Sequence, residues 1–99
     1  MFTTIIQYPS GHEFDLDYYI KTHMPLAGKL WKPHGLVSAE VIKLSGDGPF
    51  QVYSILRWDS PASFQKAMTL EETKTIKDDV KNFTTAVSSH VIGETVVQA

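Results

Sequence analysis

Leu36-Val37-Ser38-Ala39-Glu40-Val41-Ile42-Lys43-Leu44, then Gly46-Asp47-Gly48-Pro49, then Phe50-Gln51-Val52-Tyr53-Ser54-Ile55-Leu56-Arg57-Trp58 reads as two strands joined by a turn. Both flanks are rich in β-branched, aromatic and aliphatic residues, which suit a pleated surface. The Gly-Asp-Gly-Pro segment supplies the residues that tight turns need, so the second strand returns antiparallel to the first. In the returning strand one parity carries Phe50, Val52, Leu56 and Trp58 while the other carries Tyr53 and Ile55. Neither face is cleanly polar, unlike a sheet with one side in water.

On the N-terminal side, Phe2 to Tyr8 reads as a first strand, closed by the turn Pro9-Ser10-Gly11. A helix opens near Asp15, whose short carboxylate can cap free backbone N–H groups. Leu16, Ile20, Met24, Ala27 and Leu30 recur at helical spacing and predict its buried stripe. Pro25 falls inside that pattern, where it removes a hydrogen bond and crowds the carbonyl of Lys21, so a kink is expected just after His23. Pro33-His34-Gly35 ends the helix. On the C-terminal side, Ser60-Pro61 caps a second helix whose stripe runs Phe64, Ala67, Met68, Ile76, Val80 and Phe83, with Leu70 off it. The alternating charges from Glu71 to Lys81 read as its solvated face. Val87 to Val97 is the last strand, expected to bulge or bend at Gly93.

The order β-α-β-β-α-β is that of an α+β, ferredoxin-like fold, with an antiparallel sheet and both helices on one face. The apolar character of the other face predicts a homodimer that packs sheet against sheet. The 99 residues are taken as one domain, 42% hydrophobic and 20% charged, a composition that folds. Eleven acidic against nine basic residues, with Arg57 the single arginine, argue against a nucleic-acid partner. No apolar run reaches the roughly 20 residues that span a bilayer. The chain has no cysteine, and its start is strand-like rather than signal-like, so a soluble cytoplasmic protein is expected.

The chemistry concentrates in Phe14-Asp15-Leu16-Asp17-Tyr18-Tyr19-Ile20-Lys21-Thr22-His23. Four-residue steps place Asp15, Tyr19 and His23 on one helical face. His23 has the titration range to exchange a proton with a bound phenol or enol, with Tyr19 positioning an oxygen. The competing role for His23 is structural, its ring bonding a carbonyl freed by Pro25. Capping accounts for Asp15. Tyr8, Trp31, Tyr53 and Trp58 are placed to wall an apolar ligand pocket or simply to fill the core. His90 shares a strand parity with Ser88 and Ile92 and points either into a cleft or to an interface. His12 and His34 lie in turns and are expected in solvent. No histidine pair has metal-site spacing and no glycine loop cradles phosphate, so no metal or nucleotide cofactor is expected.

Tyr8-Pro9, Phe14-Asp15-Leu16-Asp17-Tyr18-Tyr19, Thr22-His23-Met24-Pro25-Leu26 and Ser60-Pro61-Ala62-Ser63-Phe64 together resemble the EthD family, named for ethyl tert-butyl ether degradation. The resemblance covers nearly the whole chain and is most specific in the first helix. It implies a dimeric α+β barrel, two ferredoxin-like halves packed through their sheets, each with a cleft between sheet and helices. Glu71-Glu72-Thr73-Lys74 departs from the family pattern, which often carries histidine and alanine there. Barrels of this kind include monooxygenases working without metal or flavin, cyclases, dehydratases and decarboxylases, and also non-catalytic modules. The resemblance therefore implies a cofactor-independent enzyme acting on a small aromatic or polyketide-like compound, or else a dimeric binding or stress-response module for a small apolar ligand. Fold alone does not choose between them.

Overall fold

The computed structural model describes all residues from Met1 to Ala99. Four strands, β1 (Phe2–Pro9), β2 (Leu36–Lys43), β3 (Phe50–Trp58) and β4 (Ser89–Glu94), form one antiparallel sheet in the order β2-β3-β1-β4. β1 to β3 match their sequence readings to within a residue. The register is Ile5 opposite Ile55, Ile55 opposite Glu40, and Ile5 opposite Val91. β4 is shorter than expected, and its register through Gly93 is continuous, with Gly93 opposite Thr3. The expected bulge is therefore absent, since Gly93 keeps its place in the ladder.

One sheet face packs on helices. Tyr8, Thr4 and Phe2 of β1 and Val52, Ser54, Leu56 and Trp58 of β3 are all buried there. The opposite face carries no helix. Its central row, Ile55, Ile5 and Val91, is apolar, and beside it runs a hydrogen-bonded row in which Ser89 Oγ donates to Gln7 Oε1 and Gln7 Nε2 donates to Tyr53 Oη.

The first helical stretch is wound three ways: α1 (Leu16–Tyr18), a π-helical turn (Tyr19–His23) and α2 (Met24–Trp31). Asp15 caps it, accepting from the Tyr18 N–H at 3.0 Å. Met24 N–H reaches back five residues to the Tyr19 carbonyl, the widened winding of a π-turn, immediately before Pro25. Loose winding there eases the clash of the proline ring with the upstream carbonyl. The buried stripe differs from the expected one on either side of Ala27, which both share. Tyr19, His23, Ala27 and Trp31 are buried, whereas Ile20 is 51% exposed.

The second helical stretch is broken, not continuous as expected. α3 (Pro61–Ala67) ends, Leu70 adopts an extended backbone, and α4 (Glu71–Asp78) restarts before a 3₁₀ turn over Asp79–Asn82. Two threonines stabilise the break: Thr69 Oγ1 donates to the Lys66 carbonyl and Thr73 Oγ1 to that of Ala67. The change of direction brings Leu70 against the main core, which comprises Phe2, Ala27, Trp31, Leu36, Leu56, Trp58, Ala67 and Ile76. At Gly35, which precedes β2, φ is +105°, and a Cβ would lie 2.6 Å from that of Ser63. Glycine is required there on both counts.

Candidate active site

Between the helices and the sheet lies a cavity of about 360 Å³. Its floor is Thr4, Ile6 and Tyr8 of β1 with Leu56 and Trp58 of β3, its roof Tyr19, His23, Met24, Ala27 and Trp31, and its sides come from the second helical stretch and β4. The two tryptophans offer it their rings and not their donors. Trp31 Nε1 donates to Thr73 Oγ1 at 2.8 Å and Trp58 Nε1 to Thr4 Oγ1 at 3.3 Å.

The polar centre of the roof is built by the π-turn. Tyr19 and His23, at its two ends, stack with ring centroids 5.2 Å apart and planes 16° from parallel. Phe83 packs against both rings, 4.7 Å from the imidazole and 4.8 Å from that of Tyr19. The Tyr19 hydroxyl hydrogen-bonds Ser54 Oγ, and both residues are essentially without solvent contact. Tyr8 meets Tyr19 edge to face at 5.7 Å. Burial raises both phenols above their ordinary range, so each keeps its proton and remains a donor.

His23 Nδ1 lies 2.9 Å from Asp79 Oδ2. A carboxylate only accepts, so Nδ1 carries the proton and donates; in the neutral ring this leaves Nε2 as the nitrogen with a free lone pair. The ring does not bond a carbonyl freed by Pro25. Asp79 also accepts from Tyr18 Oη at 2.7 Å and from Asn82 Nδ2 at 2.9 Å. Burial alone would raise its carboxyl, but the hydrogen bonds from Tyr18, Asn82 and His23, with the electrostatic attraction of His23, hold it below the usual aspartate range. Asp79 is thus a fixed anion behind an oriented imidazole. In the sequence it belongs to the alternating run read as a solvated face. It opens the 3₁₀ turn that follows α4, three residues after the buried Ile76, and bonds His23 instead.

Comparison with known proteins follows the same outline. No family model and no curated protein matches the chain. Among solved structures, an EthD-like protein from Ralstonia eutropha is 27% identical, with a TM-score of 0.86 over 99% of this chain and 94% of that one. An EthD-family protein from Bacillus halodurans is also 27% identical, with a TM-score of 0.78 over 97% and 99%. The chain is EthD-like. Its ferredoxin-like fold is shared, at 11% identity and a TM-score of 0.70 over 98% of this chain and 95% of that one, with SnoaB, a cofactor-independent oxygenase from Streptomyces nogalater. It is shared too with a dimeric ferredoxin-like protein from an uncultured marine organism, at 17% identity and a TM-score of 0.69 over 100% and 98%.

In this EthD-like chain the residues singled out in the sequence fall in two places. His23, Tyr19, Tyr8, Trp31, Trp58 and His90 all border the cavity. Tyr53 does not, because it alternates with the buried Val52 and Ser54 and so projects from the helix-free face, where it accepts from Gln7. Asp15 stays at the helix start as a cap. His90 pairs with Ile6 across β1 and β4 and stands on the cleft side, its Nε2 3.1 Å from Ser88 Oγ. Burial, and then the charge of Lys77, lower its pKa and favour the neutral ring. His12 is exposed. No group of three or more His, Cys, Asp or Glu side chains is arranged to hold a metal ion, and no helix is long and apolar enough to cross a membrane.

Proposed function

We propose that the cleft is an acid/base active site that removes a proton from a small aromatic or polyketide-like compound without a bound cofactor. The observation that carries this reading is the Nδ1 bond from His23 to a partly buried, triply hydrogen-bonded Asp79, with the same imidazole lining the cavity. His23 Nε2 accepts a proton from a phenolic O–H or from a carbon next to a carbonyl, and the imidazolium that forms is stabilised by Asp79. The electron pair left on the substrate becomes a phenolate or enolate. Tyr19, still protonated, donates to its oxygen while Ser54 holds the phenol in place. Such an anion precedes ring oxidation and dehydration, and the same stabilisation serves decarboxylation, in which loss of CO2 itself leaves the enolate, so this reading concerns the first anion and not the product.

The assembly unit in this reading is a homodimer joined through the helix-free sheet face. The apolar row Ile55, Ile5 and Val91 at its centre, and the dimeric ferredoxin-like relative, support that arrangement.

Solvent-deuterium uptake at the acidic carbon of an enolisable aryl ketone tests the chemistry. The protein accelerates exchange, and His23→Gln reduces the acceleration by the factor of about 10² to 10⁴ typical of general-base catalysis. Binding of the ketone with no acceleration by the unaltered protein would reduce the cleft to a binding module.

A further inference from the structure

The cavity is apolar around its interior and polar at one rim, where Lys77 of α4 meets Ser88 and His90 beside β4. Lys77 is the single formally charged side chain that borders the cavity, and no carboxylate does. It is also unengaged: the ion pairs of this protein join Lys21 to Asp17 and His23 to Asp79, and none involves Lys77. A cation with no internal partner, set at the mouth of an apolar cavity, is well placed to meet an anion on a ligand that fills it.

We infer that the rim formed by Lys77, Ser88 and His90 is an anion subsite, and that the ligand of the cleft is an aromatic compound bearing a carboxylate or phenolate at one end. This inference rests on the proposed cleft function and narrows its substrate class. Lys77 supplies the charge. Ser88 and His90 are already bonded to each other, which leaves the Nδ1 nitrogen of His90 as a further donor when Nε2 accepts from Ser88. His90 shares the helix-side face of the sheet with Ile92 because both alternate with Val91, so the subsite borders apolar surface from the same strand. Tyr8, Tyr19 and His23 line the same cavity, and the β1–β4 register sets His90 beside Ile6, two residues from Tyr8, so the subsite adjoins the polar roof.

Naphthoate and the isosteric neutral naphthamide, titrated separately into the protein and followed by NMR at the indole N–H signals of Trp31 and Trp58, test the subsite. The expected result is that naphthoate binds about tenfold more tightly than naphthamide, equivalent to about 1.4 kcal/mol, and that added salt erodes the preference. Lys77→Gln abolishes the preference while leaving naphthamide affinity unchanged, which also shows that the variant is folded. Equal affinity of the two probes for the unaltered protein, or a preference that survives in Lys77→Gln, overturns the anion subsite and leaves the cleft reading intact. No perturbation of either indole by either probe overturns both.

Discussion

His23 Nδ1 and Asp79 Oδ2 are 2.9 Å apart although 56 residues separate them in the chain. Their meeting depends on two local irregularities, the π-turn that ends at His23 and the 3₁₀ turn that begins at Asp79. Irregular helical turns of this kind are frequent at functional sites.

Asp79→Asn should disorder the imidazole tautomer. An amide can present either its oxygen or its nitrogen to Nδ1, so the bias toward Nδ1–H is lost. Nitrogen-15 spectra of His23 are expected to show predominantly Nδ1–H in the unaltered protein and a mixture, or the Nε2–H form, in the variant. An unchanged tautomer would dismiss Asp79 as the orienting group.

The same carboxylate gives stability a pH dependence of known sign. Its folded pKa lies below the unfolded value of about 3.9. Its contribution is therefore complete above that unfolded value and is lost as pH falls toward the folded one. Chemical denaturation between neutral and strongly acid pH should show a steeper acid loss in the unaltered protein than in Asp79→Asn.

Tyr19→Phe should cost about 1 to 3 kcal/mol, because it leaves the buried hydroxyl of Ser54 without its partner. Combining it with Ser54→Ala removes the orphaned group, so the double variant is expected to be less destabilised than the sum of the two single ones. Strict additivity in urea unfolding would mean that the two hydroxyls are not coupled.

Ile55→Lys places a charge at the centre of the helix-free sheet face, opposite Ile5 on β1. Sedimentation at micromolar concentration should show a dimer for the unaltered protein and a monomer for the variant, with the secondary structure retained. A monomeric unaltered protein would remove the sheet-to-sheet assembly altogether.

Gly35→Ala should destabilise by about 2 kcal/mol or more, since it combines a positive φ with a Cβ 2.6 Å from that of Ser63 and 2.8 Å from Asp59 Oδ1. Gly46→Ala also has a positive φ but meets nothing within 4 Å, so it should cost less. Paired thermal melts separate the steric part from the conformational one.

The sequence by itself determined the strands, their order along the chain and the antiparallel hairpin, because runs of β-branched and aromatic residues and the Gly-Asp-Gly-Pro turn are local signals that need no partner elsewhere. It also placed Tyr8, Tyr19, His23, Trp31 and Trp58 near one another, since strand parity and four-residue helical steps project them toward one side. Tyr53 was misassigned for a related reason: an aromatic in a strand with two apolar parities carries no local mark of which face meets the helices. Only the tertiary structure decided the π-turn, the break at Leu70 and the inward turn of Asp79. Each of these exchanges regular helical winding for contacts with distant residues, Ser54 for Tyr19, Trp31 for Thr73 and His23 for Asp79. Local spacing cannot register an interaction whose partner lies tens of residues away, and the acid/base pair of this cleft is of that kind.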